Sequence, residues 1–176
     1  MDQLSSPRLI LRRWTEQDAE VMFEMASDPV IGTRAGWRPH ETVQDSLDFI
    51  IESARRPDVY AIIQRSTGRP IGCVELFHDP NIMRKGPKDA EIGYWVGSAY
   101  WNQGYATEAV GILLDKAFSS GIPKVWGQCL EDNIASYRVL ERCGFRFHHR
   151  GICENPVLGE VTVRFYTLSR KERPSS

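Results

Sequence analysis

Residues 101–107 read Trp-Asn-Gln-Gly-Tyr-Ala-Thr and lie where one apolar run stops and an amphipathic one begins. A chain that turns there on Gly104 presents free N–H groups at the head of a helix, with the positive end of the helix dipole behind them. Such a turn holds a phosphate or pyrophosphate without any basic side chain. Gly104 lets the backbone approach an anion closely, and Ala106 keeps the next turn uncrowded. Two rival phosphate patterns, GxxxxGK followed by Ser or Thr and GxGxxG, do not occur, which argues against nucleotide hydrolysis and hydride transfer.

Other reactive residue types are scattered. His78, His148 and His149 have no metal-site spacing, so no metal is expected and packing or surface roles are the better reading. Cys73, Cys129, Cys143 and Cys153 form no CxxC pair and are too sparse for a secreted disulfide scaffold. They read as free, mostly buried thiols.

The elements that must position the turn follow from periodicity. Residues 8–13 suit a strand. Thr15 and Asp18, at capping-box spacing, open a helix that turns Ala19, Met22, Phe23 and Ala26 inward and stops near Asp28-Pro29. A loop over 31–40 leads to a second cap, Thr42 with Asp45, and a helix expected to bury Val43, Leu47, Ile50, Ile51 and Ala54. Residues 59–65 and 70–77 read as a hairpin turning on Gly68, and a polar loop over 78–88 precedes a central strand at 90–96. The helix at 106–120 is the best defined, with Ala109, Val110, Leu113, Leu114, Ala117 and Phe118 on one face and Gly121 and Pro123 closing it. A strand at 124–130, a helix capped by Asn133 and closed by Gly144, and strands at 145–153 and 161–168 complete the order. Residues 171–176 read as a frayed tail. Hairpins and helical crossovers alternate, so the expected fold is α/β with a mixed sheet of about seven strands and four helices.

With 176 residues, 41% hydrophobic and 26% charged, the chain suits a single soluble domain over 1–176, with its core at about 8–169. A formal charge of -1 argues against nucleic-acid and anionic-membrane partners. No stretch has signal-peptide character and none reaches the roughly 20 apolar residues of a membrane span, which makes the cytoplasm the expected location.

Three stretches together resemble one family. Residues 101–109, WNQGYATEA, resemble the acetyl-CoA pyrophosphate loop of the GNAT acetyltransferases. Residues 8–20, RLILRRWTEQDAE, resemble the opening of the ribosomal-protein serine/alanine N-acetyltransferase branch, and residues 133–145, NIASYRVLERCGF, its cofactor-flanking helix. The resemblance implies a GNAT fold with a mostly antiparallel, splayed sheet. It also implies direct transfer of the acetyl group of acetyl-CoA to a primary amine, through a tetrahedral intermediate and without a metal. Asn102, Gln103, Gly104, Tyr105, Ala106 and Thr107 would hold the pyrophosphate. Tyr94, Trp95 and Val96 would line the pantetheine arm, with the Val96 N–H facing the oxyanion, and Asn133 would contact the same arm.

The resemblance further implies a base that deprotonates the amine. Glu91 is the first choice, with a surface ion pair as its plain reading; Glu75 is the alternative and Glu160 a weaker one. Leu140 stands where many relatives carry a proton-donating tyrosine, so Ser136 becomes the donor or the partner of the sulfur, unless it serves only as the N3 residue of its helix. Arg34, Trp37 and His40, with Glu75, fall where the family builds its acceptor pocket. The acceptor, a protein N-terminus or a small-molecule amine such as an amino acid, polyamine or antibiotic, stays open. So does the choice between monomer and homodimer. A catalytically silent acyl-CoA-binding regulatory domain, and more remotely a structural partner protein, are the competing readings.

Overall fold

Runs of β-branched and aromatic residues divided by tight turns have to pair with one another, and here they build one sheet. The computed structural model describes residues 4–78 and 86–173. The strands are β1 (Leu4–Ser5), β2 (Leu9–Arg12), β3 (Val59–Gln64), β4 (Pro70–Phe77), β5 (Ala90–Val96), β6 (Lys124–Leu130), β7 (Arg146–Asn155) and β8 (Gly159–Ser169). Their order across the sheet is β1-β2-β3-β4-β5-β6-β8-β7. Every neighbouring pair is antiparallel except β5 and β6. Between those two the chain crosses through α4 (Tyr105–Ser119), the connection that a parallel pair demands.

Helices cover both faces. Ala109, Val110, Leu113 and Leu114 of α4 pack on Val74, Ile92 and Val125, and Leu140 of α5 (Ile134–Arg142) joins the same cluster. On the other face, α1 (Ala19–Ala26) and α3 (Val43–Ser53) bring Met22, Ala26 and Ile50 against Val59, Ala61 and Cys73. Each such aliphatic side chain withdrawn from water contributes about 1.5–3 kcal/mol, so the sheet between the two layers is a stiff support.

The sheet opens at one place. β5 pairs with β6 from Ala90↔Val125 to Ile92↔Gly127 and no further, while β6 continues beside β8 as far as Leu130↔Val163. On its other side β5 stays joined to β4 up to Gly72↔Val96, and the Gly97 N–H donates to the Ile71 carbonyl. Hydrogen-bonded positions alternate along an antiparallel pair. The backbone groups of Tyr94 and Val96 therefore point away from β4, into the gap.

Several expectations are corrected. The mixed, mostly antiparallel sheet stands as expected, with eight strands and five α-helices among the described residues in place of about seven and four. Residues 31–40 are not all loop, because α2 (Pro29–Ala35) begins where a stop was expected. Pro29 occupies a first-turn position, where its missing N–H costs nothing, and the Asp28 side chain accepts from the Val30 N–H. The buried line of α3 is Ser46, Ile50 and Ser53, whereas Val43 and Ile51 are 39% and 45% exposed and Ala54 is exposed. Hydroxyls can face inward there because both have partners: Ser46 Oγ lies 2.8 Å from His40 Nδ1, and Ser53 Oγ donates to the Ile50 carbonyl at 2.8 Å.

The chain end is also more ordered than expected. Ser169 and Glu172 form a capping box, and the Arg173 guanidinium donates to Asp115 at 2.9 Å and to the Gly111 carbonyl at 3.0 Å. Residues 174–176, and 79–85 of the expected polar loop, lie outside the described residues. All four cysteines are free, but only Cys73 and Cys129 are buried.

Candidate functional site

A cavity of about 830 Å³ opens where β5 leaves β6. The chain folds back at the end of β5, where the Trp101 indole N–H donates to the Val96 carbonyl at 2.7 Å. Asn102 and Gly104 then take positive φ, 59° and 78°, and α4 starts at Tyr105. Two positive-φ residues in three, set ahead of helix-head N–H groups that lack helical partners, suit an anion nest.

This turn is fastened from outside. Arg8 donates to Glu108 at 2.7 Å and to the Gln103 carbonyl at 3.0 Å, and its guanidinium lies 4.7 Å from the centre of the Tyr105 ring. Gln64 donates to the Tyr105 hydroxyl at 2.8 Å. The inner side faces the cavity through Asn102, Gly104, Tyr105, Ala106 and Thr107. Gln103 is turned away, its amide donating to the Ala99 carbonyl at 3.2 Å. The Thr107 hydroxyl oxygen is buried with no hydrogen-bond partner among the described residues, an arrangement that costs about 1–3 kcal/mol unless a ligand relieves it.

Across the gap, Asn133 caps α5 by accepting from the Ser136 N–H at 3.3 Å. The Tyr94 hydroxyl donates to the Ser136 carbonyl at 2.8 Å and lies 3.0 Å from Ser136 Oγ. Burial pushes the Tyr94 phenol up, so it keeps its proton. Leu140 is fully buried in the core and is not on the cavity wall.

Glu91, on β5, lines the cavity, yet its residue is only 4% exposed. Burial raises its carboxyl from 4.5 to about 7; a hydrogen bond from Gln128 opposes the rise and the charge of Glu75 adds to it. Its Oε2 has no hydrogen-bond partner among the described residues. Glu75, opposite Gly93 on β4, is also raised by burial but is paired with Arg56 at 2.6 Å. Glu160 is exposed on β8, opposite Glu154 and away from the cavity, which removes it as a base.

Arg34, Trp37 and His40 all reach the cavity. Trp37 meets Trp95 edge-on at 5.8 Å and His40 at 5.4 Å. Arg34 approaches the Asn133 side chain at 3.5 Å. Among the described residues no cluster of His, Cys, Asp and Glu is arranged for a metal, and no helix is long and apolar enough to cross a membrane.

The acetyltransferase (GNAT) domain family matches residues 8–146. The chain is a GNAT acetyltransferase. It is 30% identical over 149 residues to the N-acetyltransferase YoaA of Bacillus subtilis, covering 81% of this chain and 82% of that one. A GNAT-family acetyltransferase from Bacillus anthracis superposes with a TM-score of 0.84 at 23% identity, over 97% of this chain and 100% of that one. RimL, a ribosomal L7/L12 alpha-N-protein acetyltransferase in complex with coenzyme A, superposes at 0.77 and 19% identity, over 96% and 98%.

Two arginines of this acetyltransferase escaped the sequence reading. Arg138 and Arg142 stand one turn apart on α5 and both line the cavity that Thr107 also lines. Their i, i+4 spacing on the helix that follows the expected pyrophosphate turn was the available signal.

A second overlooked group is Asn155, at the end of β7. Its amide donates to the Thr33 carbonyl in α2 at 3.0 Å, while its oxygen accepts from the Val157 and Leu158 N–H groups at 2.8 and 2.9 Å. The last carbonyls of a helix lack partners within it, so Asn155 ties down the short helix that carries Arg34. Asn155→Asp keeps the two acceptor bonds and loses the donor. Hydrogen exchange of residues 31–36 is expected to accelerate about tenfold, the exchange of α3 being unchanged; equal acceleration in both helices would mean general loosening.

Proposed function

We propose that this GNAT acetyltransferase transfers the acetyl group of acetyl-CoA to a primary amine, with Glu91 as the general base. The single observation that carries the reading is the buried carboxyl of Glu91, pushed up to about 7 by burial and with its Oε2 left without a partner, at the point where β5 parts from β6. A base tuned to the working pH is what amine acetylation requires, because free amines are mostly protonated at neutrality, with pKa values of about 8 for an α-amine and about 10.4 for lysine.

The residues fit the donor in three respects. The positive-φ turn and the helix head suit a pyrophosphate, with the orphaned Thr107 hydroxyl, Arg138 and Arg142 close by. The inward-facing backbone groups of Tyr94, with the Val96 N–H, suit the amides of a pantetheine arm, while the Val96 carbonyl is held by the Trp101 indole. Asn133 stands at the same wall. The donor supplies an activated acetyl thioester and leaves as a thiol.

The chain's own groups do the rest. Glu91 takes the proton of the incoming ammonium. The Val96 N–H is a fixed dipole beside the reacting carbonyl and needs no reorganisation. With the Tyr94 proton on the Ser136 carbonyl, the 3.0 Å contact is the Ser136 hydroxyl donating to Tyr94, and rotation of that hydroxyl lets it donate a hydrogen bond to the leaving sulfur instead. Ser136→Ala is expected to lower kcat about two- to tenfold, the range of one ordinary hydrogen bond, with acetyl-CoA KM little changed; an unchanged kcat would leave Ser136 as a helix residue alone.

The protein N-terminus and the small amine are both compatible with the open cavity. The test of the function is thiol release by the purified chain with acetyl-CoA and a panel of amines, with product mass measured in parallel. One thiol per acetylated amine is expected. Saturable CoA binding without thiol release across the panel would favour a silent binding domain.

A further inference from the structure

Beyond Glu91 the cavity continues onto the face covered by α1 to α3, and its walls there are rings. Trp37 and Trp95 meet at 5.8 Å, His40 sits 5.4 Å from Trp37, and Phe49 lies 6.3 Å from His40. All four line the cavity. His40 belongs with the apolar rings, because burial lowers its pKa against the pull of Asp45 and its Nδ1 is engaged by Ser46 at 2.8 Å. Glu75 already has a cation, since Arg56 holds it at 2.6 Å while stacking 5.5 Å from the Phe49 ring.

Val30 of α2, 45% exposed, adds an apolar side chain to the same cavity, and Arg34 on that helix is drawn toward the Asn133 side chain at 3.5 Å. Apolar groups that folding leaves in water around a concavity mark a place where an apolar ligand replaces that water.

Resting on the acetyltransferase reading, we infer that the acceptor is a primary amine on an aromatic or branched apolar body, either a free amine or the first residue of a polypeptide. The amine meets Glu91 while the body fills the ring-walled chamber. A polyamine or an aminoglycoside would bring further charges or hydroxyls into the chamber and strip their water for little return, since the Glu75 carboxylate is engaged.

The test uses the full chain with saturating acetyl-CoA and the series ethylamine, butylamine, hexylamine and phenethylamine, whose first three members differ in little but apolar length. Each added CH₂ that leaves water raises kcat/KM about fourfold, and phenethylamine equals or exceeds hexylamine. Trp37→Ala flattens the series while acetyl-CoA KM stays within about twofold of wild type. A Phe-led tetrapeptide outrunning phenethylamine assigns a polypeptide source, and the reverse assigns a free amine; both support the chamber's role. A flat series, or spermidine or kanamycin outrunning phenethylamine, overturns it. Calorimetric binding of the same amines in the presence of CoA reads the chamber without turnover. The same ranking there upholds the inference even if no thiol is released, a result that would count against the acetyltransferase reading alone, and a flat ranking overturns it.

Discussion

Glu91→Gln is expected to lower kcat by about 10²- to 10⁴-fold, the usual contribution of a positioned general base. Acetyl-CoA affinity should stay within about twofold, because the turn at Asn102 to Gly104 and the backbone edge of β5 are untouched. In the wild-type chain kcat/KM rises with pH through about 7, where the Glu91 carboxyl loses its proton. The variant lacks that limb and retains only the rise due to the amine's own titration. Unchanged turnover would remove Glu91 from the mechanism.

The same substitution has an opposite effect on stability, which separates lost chemistry from lost fold. Unfolded, the Glu91 carboxyl titrates near 4.5, and folded at about 7. Between those values the folded chain holds a proton that the unfolded chain releases, so this group's contribution is intact below 4.5 and is lost as pH rises through 7. Glutamine does not titrate. The variant should therefore resemble wild type at the acid end and become the more stable protein by pH 8, with an upper bound of roughly 3 kcal/mol. Urea unfolding at several pH values reads this directly. A variant that is inactive and also less stable at pH 8 would point to a structural role.

Gly104→Val is expected to weaken acetyl-CoA binding about 10- to 100-fold, equivalent to about 1.4–2.8 kcal/mol. The residue holds φ at 78°, a region that β-branched side chains enter only under strain. Relief of that strain rotates the amides at the head of α4 away from the cavity. Gly68→Val is the matching control: Gly68 has φ of 69° in the β3–β4 turn, and nothing within 4 Å would meet an added Cβ. Both variants should lose about 1–3 kcal/mol of stability, yet only Gly104→Val should change the affinity measured by calorimetry. Equal affinity losses would show that binding follows global stability instead of the turn.

The parts of this account that were legible in the sequence are those governed by local rules. The bounds of β5 and β6 follow from β-rich runs ended by Gly97 and by the Asn133 cap, and the positive-φ turn follows from Gly104 ahead of the apolar face of α4. What was not legible depends on long-range packing. Pro29 reads equally as a helix stop and as a first-turn residue, and only the Asp28 cap decides. The inward face of α3 was misread because buried serines break the apolar stripe, a choice that becomes tolerable once Ser46 is paired with His40 and Ser53 donates to the Ile50 carbonyl. Glu91 and Glu75 look alike on neighbouring strands, and Arg56 distinguishes them by pairing with one. The Asn155 tie to Thr33 joins residues more than a hundred positions apart, which no periodicity encodes.

Backbone amide chemical shifts during a CoA titration test the central claim most directly, because they report the turn and the sheet gap in one experiment. Saturable shifts at Asn102 to Thr107, together with Tyr94 and Val96, are the predicted result. Saturable binding that leaves all of these amides unmoved would contradict it.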